Sequence, residues 1–329
     1  MSPSFNSLKQ STYHVCRSPK RKTLRDLSER GKVELNKTSY LAQEIASGNF
    51  LAVAHIVHRM KRSIISVINQ KGGCAKSSTC FHTAGYFEKN GYRVLLVDAD
   101  AQGSLSQAFY GSATVEALAA EQTLAAVFDD SIFVSSPDAL SLATHVDGID
   151  IVPANRHLAQ FNVPQPYEHG MQQFCLSSFL ELAHSYDIVM IDCPPNLYQC
   201  SWNALLASDF VAIPVMADDF GVQGLRAVQE AITLAQQLKP SLALLGQFLT
   251  KFDRRVGIHR EFESVLRRVY GDQIFSTVIQ EAAAFKLAAA AKMPVSHYSS
   301  WSRATRQTKS LALEMIERIE ERTANRKVA

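Results

Sequence analysis

The chain has 329 residues, of which 47% are hydrophobic and 20% are charged, and its formal net charge is +3. This composition is ordinary for a soluble globular protein, and the length suffices for one large α/β domain plus an extension. No apolar run approaches the roughly 18–20 residues that a membrane helix needs, and six scattered cysteines without a CxxC pair argue against a zinc site and favour reduced thiols.

The first 62 residues differ from the rest of the chain in charge. They hold 12 Lys and Arg against 4 Asp and Glu, a net charge of +8, whereas the remaining residues have a net charge of −5. Their beginning has no signal-peptide layout. We predict that residues 1–60 form a basic N-terminal extension, partly disordered or helical, which is either a solvated tail or an arm that contacts nucleic acid. The charge is densest at Arg17, Lys20, Arg21, Lys22 and Arg25.

From residue 63 onward, short apolar runs alternate with helix-like segments. The apolar runs predict strands at residues 64–68, 94–97, 149–152, 188–191, 211–215 and 244–249. Helices are predicted at residues 79–87, 173–184, 224–238, 260–270 and 310–322. Continuous apolar strands that alternate with helices indicate an α/β fold with a mostly parallel, doubly wound sheet, flanked by helices on both faces.

Residues 69–78, between the first strand and the first helix, have the pattern of a phosphate-binding loop. Gly72 and Gly73 let backbone N–H groups close around phosphate oxygens, and the following helix N-terminus adds partial positive charge. Lys76 can reach the outer phosphates, and the hydroxyl of Ser77 can ligate Mg²⁺. A plain strand–helix turn is the alternative. The predicted nucleotide-binding residues of this loop are Lys71, Gly72, Gly73, Cys74, Ala75, Lys76, Ser77 and Ser78.

Aspartates follow two further strands. Asp98 and Asp100 stand one residue apart at the end of the second strand and point toward the carboxyl edge of the sheet, where ligands bind in open α/β folds. Four apolar residues that end in Asp192 have the layout of a Walker B strand, whose carboxylate holds Mg²⁺ through water. For the pair Asp98 and Asp100, an exposed turn is the alternative.

A second lysine makes the loop more specific. With Lys71 five residues before Lys76, the loop resembles the deviant Walker A box of the ParA/MinD family of ATPases, and the resemblance extends over about residues 61–315. It implies that Lys71 reaches the partner's nucleotide across a dimer interface and that Asp100 positions the attacking water. The implied catalytic residues are Lys71, Lys76 and Asp100, and the implied metal-binding residues are Ser77, Asp98 and Asp192.

One position of the loop departs from the family pattern. The residue before the P-loop lysine is usually glycine, and here it is Ala75. Alanine fits at this position only if its φ stays negative, because L-residues with a side chain disfavour positive φ. The geometry of the loop, and with it the affinity for ATP or its turnover, therefore depends on the φ of Ala75.

Later segments also resemble the family. Residues 213–225 resemble the stretch near adenine and the dimer interface, and residues 250–255 resemble the threonine–x–tyrosine/phenylalanine–Asp–x–Arg stretch. The nucleotide-binding residues predicted there are Pro214, Asp218, Thr250 and Phe252. An arginine that touches DNA in chromosomal members falls on Ala284. The predicted DNA-binding residues are Arg254, Arg255, Lys286, Arg303, Arg306 and Lys309, with a solvated helix face as the alternative for the last three.

The resemblance implies an ATPase domain over residues 61–329 that uses ATP and Mg²⁺ and is a homodimer when ATP is bound. We expect a cytoplasmic, nucleoid-associated plasmid or chromosome partition ATPase. Its dimer would bind nonspecific DNA until a ParB-type centromere-binding protein stimulates hydrolysis. A MinD-like membrane-cycling ATPase is the alternative, but residues 314–322 lack the aromatics of a membrane-binding helix, so no membrane partner is expected. A metal-cluster ATPase would need a ligating cysteine pair, and none is visible.

Overall fold

The structure is a computed structural model that describes residues 62–217 and 222–328. The predicted N-terminal extension, residues 1–60, lies outside the described residues, as does Asp218. The character of that extension and the domain boundary after it stay predictions.

The described residues form one mostly parallel sheet of eight strands. The strands are β1 (Ser63–Val67), β2 (Val94–Asp98), β3 (Leu142–Ala143), β4 (Ile149–Val152), β5 (Ile188–Asp192), β6 (Phe210–Met216), β7 (Ala243–Phe252) and β8 (Ile274–Gln280). Their spatial order is β3-β4-β2-β5-β1-β6-β7-β8. Every neighbouring pair is parallel except β3 and β4, which are antiparallel.

Helices connect the strands and cover the sheet. Within the described ranges they are α1 (Lys76–Lys89), α2 (Ser104–Tyr110), α3 (Ser112–Glu116), α4 (Ala125–Phe128), α5 (Pro137–Leu140), α6 (Cys175–Glu181), α7 (Gln199–Ala207), α8 (Val222–Leu238), α9 (Gly257–Tyr270), α10 (Ala283–Ala290), α11 (Val295–Tyr298) and α12 (Arg303–Val328). Short 3₁₀ turns occur at Ala120–Gln122, Arg156–Phe161, Pro166–Glu168, Gly170–Phe174 and Gly271–Gln273.

The predicted fold class is confirmed, and each predicted strand is present with ends that differ by a few residues. Strand β3 was not predicted, because it has only two residues and no apolar run marks it. Strand β8 (Ile274–Gln280) contains residues 274–279, which resemble the closing strand of the ParA/MinD family. The helix predicted at residues 173–184 is a 3₁₀ turn followed by the shorter α6. The helix predicted at residues 310–322 extends over the 26 residues of α12.

Both faces of the sheet are buried, which is why its strands are continuously apolar. In β1, Ile64 packs with residues of one face, whereas Ile65 and Val67 pack with residues of the other. All five residues of β1 and all five of β5 are buried. These two central strands are therefore packed on both faces, and the loop after β1 starts from their carboxyl edge.

Helix α12 belongs to the core. Its residues Leu311, Met315 and Ile319 are buried in the same cluster as Phe275 of β8. The Arg318 guanidinium lies 4.2 Å from the centroid of the Phe275 ring and donates to the Ile274 carbonyl at 3.0 Å. The apolar stripe of α12 is thus used to cover the sheet.

Candidate nucleotide-binding site

Side-chain hydrogen bonds hold the loop between β1 and α1 against the neighbouring strands. The buried Asn69 donates from Nδ2 to the Pro214 carbonyl in β6 at 2.8 Å, and its Oδ1 accepts from the Lys71 backbone N–H at 3.0 Å. The Thr250 hydroxyl, near the end of β7, donates to the Cys74 carbonyl at 3.0 Å. Contacts with β6 and β7 therefore determine the backbone shape of the loop.

Lys76 begins α1 with its side chain over the loop. Its ammonium donates to the Lys71 carbonyl at 3.1 Å and lies 3.9 Å from the Cys74 sulfur. Only 7% of Lys76 is exposed. Burial raises the pKa of the Cys74 thiol, while the charge of Lys76 acts in the opposite direction. Cys74 is thus a neutral thiol, and the ammonium of Lys76 is the charge that this part of the loop offers to an anion.

Ala75 has a left-handed backbone conformation at the end of the loop. Its φ is 73° and its ψ is 29°, so the negative φ that alanine favours is not adopted here. The Ala75 carbonyl accepts from the Thr79 backbone N–H at 2.8 Å and from the Thr79 hydroxyl at 2.7 Å, and these bonds, with the tertiary bonds of the loop, maintain the conformation. A non-glycine residue in this region costs about 1–2 kcal/mol, so the folded loop stores strain.

Replacing Ala75 with glycine is expected to raise the free energy of unfolding by about 1 kcal/mol. Glycine removes the left-handed strain, and its greater freedom in the unfolded chain offsets only part of that gain. Urea titrations followed by circular dichroism measure the change. The control is Ala324→Gly in α12, an exposed position inside the helix without positive φ, which should lose about 0.5–1 kcal/mol. Destabilisation of both variants by the same amount would contradict a strained loop.

Two buried aspartates face each other on adjacent strand ends. Asp98 of β2 and Asp192 of β5 are partners in the parallel register, and neither is exposed to solvent. Burial raises the pKa of Asp192 well above its usual value, and the charge of Asp98 adds to that rise. The Ser77 hydroxyl lies close enough to lower the pKa of Asp192, yet among the described residues neither Asp192 oxygen has a hydrogen-bond partner of good geometry. Such a group is ready to accept a cation.

Asp98 differs from Asp192 because its oxygens are engaged. Its Oδ2 accepts from the backbone N–H and the hydroxyl of Ser106 at 2.8 and 2.7 Å, and its Oδ1 accepts from the Asp100 backbone N–H at 3.2 Å. Asp100 in turn accepts at Oδ1 from the Gln102 backbone N–H at 3.0 Å. Asp98 therefore fixes the start of the segment that carries Asp100.

A cleft of about 500 Å³ opens beside the loop. It extends past the loop along α1 to His82, to Phe285 of α10 and to Leu311 of α12. His82 stays neutral, because burial lowers its pKa to about 3, and its Nδ1 accepts from the Val295 backbone N–H at 3.0 Å. Of the predicted site residues, those that line the cleft are Gly72, Gly73, Ala75, Lys76, Ser77, Ser78, Asp100, Thr250 and Lys286.

Other predicted nucleotide-binding residues support the cleft without lining it. Cys74 and Phe252 are buried, and the Phe252 ring lies 5.6 Å from the ring of His259. Lys71 is half-buried. Its backbone N–H donates to Asn69, and its backbone carbonyl accepts from the Lys76 ammonium. Lys251, which lines the cleft, was missed, although it stands between two residues that were predicted and directly precedes the carboxyl end of a strand.

The predicted DNA-binding residues are all exposed, but two of them have acidic partners. Arg255 forms an ion pair with Asp253 at 2.7 Å, and Lys286 forms one with Glu281 at 3.2 Å. The Arg306 guanidinium donates to the Trp301 carbonyl at 2.7 Å. Within the described part of the chain, no ion pair involves Arg254, Arg303, Arg306 or Lys309.

The chain is similar in sequence to several known proteins. The sequence model of a family described as "AAA domain" matches residues 62–244. The sporulation initiation inhibitor protein Soj of Bacillus subtilis is 30% identical over 255 residues, which cover 77% of this chain and 97% of that protein. The chromosome partitioning protein ParA of Caulobacter vibrioides is 28% identical over 265 residues, which cover 79% of this chain and 96% of that protein.

Solved structures share the fold. A cobyrinic acid a,c-diamide synthase of Mycobacterium smegmatis, with bound ADP and magnesium, has a TM-score of 0.59 and 27% identity over 74% of this chain and 98% of that one. A plasmid partition protein of Borrelia burgdorferi has a TM-score of 0.62 and 21% identity over 78% of this chain and 99% of that one. At 21% identity, the similarity to the plasmid partition protein shows a shared fold only.

A glycine-rich loop with a buried lysine, between a central parallel strand and a helix, places the protein among the P-loop nucleoside triphosphatases. The family match and the relatives narrow this class. The chain belongs to the ParA/Soj-like family of partition ATPases. The predicted family and the predicted ATPase class are thereby confirmed.

Proposed function

We propose that this ATPase segregates DNA through a nucleotide-controlled dimer. Its ATP-bound homodimer binds nonspecific DNA, and a ParB-type centromere-binding partner stimulates hydrolysis and so releases it. One observation carries the ATPase part of the proposal: Lys76, Ser77 and Asp100 line the same cleft. The partition part is supported by relatives that are named for chromosome partitioning.

The residues fit ATP and Mg²⁺. The buried Asp192 carboxylate lacks a hydrogen-bond partner of good geometry among the described residues, and the related synthase contains ADP and magnesium. Ser77 and Asp192 would hold Mg²⁺, which when bound would neutralise charge on the phosphates. Asp98 would lie near the metal and hold the segment that carries Asp100, because its oxygens already accept hydrogen bonds from Ser106 and Asp100.

Hydrolysis then depends on positioning and charge. Lys76 binds the outer phosphates, and Lys71 reaches the nucleotide of the second protomer. Asp100 accepts a hydrogen bond from water and directs its oxygen at the γ-phosphorus. The new P–O bond forms as the bond to the bridging oxygen breaks, which yields ADP and phosphate. Because the protein makes no covalent intermediate in such a reaction, its catalytic effect comes from orientation and electrostatic stabilisation.

The nonspecific DNA surface of the proposal is the beginning of α12. Arg303, Arg306 and Lys309 are exposed and recur every three residues, so they lie on neighbouring positions of one helix surface. Arg255 and Lys286 contribute less net charge, because each is paired with a carboxylate. Binding without sequence readout needs several such cations near phosphates.

Replacing Arg303, Arg306 and Lys309 together with glutamine is expected to weaken binding of the ATP-bound protein to any duplex sequence. The slope of log affinity against log salt should fall in magnitude by up to about 5, because each lost phosphate contact contributes roughly 0.9 and a dimer carries two copies. Fluorescence anisotropy with unrelated duplexes at several salt concentrations measures both effects.

The matched control is Arg226→Gln in α8, an exposed arginine paired with Glu230, which should leave the slope unchanged. A second variant replaces Arg17, Lys20, Arg21, Lys22 and Arg25 with glutamine. If only that variant loses DNA binding, the N-terminal extension is the DNA surface. If the unsubstituted protein with ATP binds no duplex, the partition proposal is wrong.

Membrane cycling receives less support. Among the residues that the structure describes, no helix combines the length and apolarity needed to cross a bilayer. A peripheral amphipathic helix would have to expose an apolar face, whereas Leu311, Met315 and Ile319 of α12 are buried. The apolar face of this helix therefore belongs to the protein core.

A further inference from the structure

Lys251 lies over the phosphate-binding loop. It is exposed between Thr250 and Phe252, which are both buried, and it lines the cleft. A Cβ atom placed on Gly73 would lie 3.9 Å from the Lys251 ammonium. The side chain thus brings a cation to the loop from β7, in the same chain and independently of Lys71 and Lys76.

The backbone of Lys251 is left-handed, with φ at 51°. Lysine has no side-chain hydrogen bond that eases this conformation, in contrast to asparagine or aspartate. Both neighbours are held in place: the Thr250 hydroxyl binds the Cys74 carbonyl, and Phe252 is buried against His259. Non-glycine residues persist in this region where surrounding structure imposes it, and such positions cluster at ligand sites.

The ammonium of Lys251 is not neutralised by the nearest acidic residue along the chain. Asp253 accepts from the Arg255 guanidinium at 2.7 Å and from the Arg255 backbone N–H at 2.9 Å. In the portion of the chain that the structure describes, Lys251 itself forms no ion pair or side-chain hydrogen bond. Its charge is therefore available to a ligand in the cleft.

The order of the strands indicates which part of a nucleotide lies nearest to Lys251. Strands β5 and β2, which end in Asp192 and Asp98, are on one side of β1, and β6 and β7 are on the other. In the proposed function the metal and the terminal phosphate lie beside Asp192. A nucleotide that crosses the loop from there places its sugar and base toward β7.

We infer that Lys251 binds the sugar and α-phosphate end of the nucleotide, as a third lysine of the site that acts within its own protomer. The inference rests on the proposed ATP binding. Because this end is common to ATP and ADP, Lys251 contributes equally to the affinity of both. Lys71 and Lys76 differ from Lys251, because in the proposed function they are directed at the outer phosphates and not at the end that ATP and ADP share.

Titration calorimetry of the full-length protein with ADP and with a non-hydrolysable ATP analogue tests this role. Lys251→Asn keeps a residue that tolerates left-handed backbone and removes the cation; it should raise the Kd of both nucleotides about tenfold, as for one charge-assisted contact. Lys251→Arg keeps the charge and should stay within about threefold of the original Kd. Lys292→Asn is the matched control, because Lys292 is also left-handed, at φ 57°, but donates to the Tyr110 carbonyl at 2.9 Å.

Equal weakening of ADP and the ATP analogue by Lys251→Asn, with neither nucleotide affected by Lys292→Asn, supports the inference. Unchanged affinities overturn it. A loss for the ATP analogue that exceeds the loss for ADP tenfold or more also overturns it, because the ammonium would then act on the terminal phosphate. If the unsubstituted protein binds neither nucleotide, the proposed ATPase function itself fails, and the inference fails with it.

Discussion

Replacing Asp100 with alanine is expected to lower ATP turnover on the order of 10²- to 10⁴-fold, the usual effect of a positioned group that acts on the attacking water. ATP binding should persist, because Lys76 and the loop amides do not depend on the Asp100 side chain. The ATP-bound dimer should accumulate and stay on DNA. Phosphate release measures turnover, and retention on a DNA-coated surface after ATP is removed measures the trapped state.

The reason for a large effect is the fixed position of Asp100. The Asp98 carboxylate accepts a hydrogen bond from the Asp100 backbone N–H, and the Asp100 carboxylate accepts one from the Gln102 backbone N–H. Asp100→Asn keeps an acceptor for Gln102 and separates loop stability from loss of the carboxylate charge. Asp147→Ala, at an exposed turn away from the cleft, is the control. Wild-type turnover in Asp100→Ala would show that another group positions the water.

Replacing Lys71 with alanine is expected to weaken ATP-dependent dimerisation about 100-fold, because a symmetric dimer loses two charge-assisted contacts at once. The loop itself should keep its shape. Its bonds at this position come from the backbone: the Lys71 N–H donates to Asn69, and the Lys71 carbonyl accepts from Lys76. Sedimentation velocity with a non-hydrolysable ATP analogue measures the dimer fraction.

Lys251→Asn provides the contrast for this experiment. At saturating nucleotide it should dimerise normally, since Lys251 is inferred to act within its own protomer. Lys71→Ala should bind the ATP analogue but remain monomeric. Equal dimer fractions for Lys71→Ala and the unsubstituted protein, with equal turnover, would falsify the role of Lys71 across the interface.

The order of elements and the principal site could be predicted from the sequence because each depends on local patterns. Buried parallel strands require continuous apolar runs, so β1, β2 and β5 were identifiable. A phosphate-binding loop requires glycines, a lysine and a hydroxyl at fixed spacing, so residues 71–78 were identifiable as well. Aspartates that follow such strands necessarily meet at the carboxyl edge, and the register of Asp98 with Asp192 accords with this.

Only the folded chain shows which of the predicted charged side chains already have partners within the protein. Arg255 and Lys286 looked equivalent to Arg303 and Lys309 in the sequence, but each has a carboxylate partner in space. Asp98 was predicted among the metal-binding residues, and only the folded chain shows that its oxygens also accept bonds from residues two and eight positions later. Pairing depends on geometry over a few ångströms, which residue spacing does not specify.

The sequence by itself determined the fold class, the phosphate-binding loop and the catalytic aspartate candidate, because periodicity and short motifs encode them within a few residues of chain. Tertiary structure alone decided the positive φ of Ala75, the burial of the apolar face of α12 and the placement of Lys251 over Gly73. Each of these results from contacts between segments distant in the chain, such as the bond from Thr250 to Cys74. Such contacts override the local preference of alanine for negative φ and bring the ammonium of Lys251 to a loop 178 residues earlier in the chain.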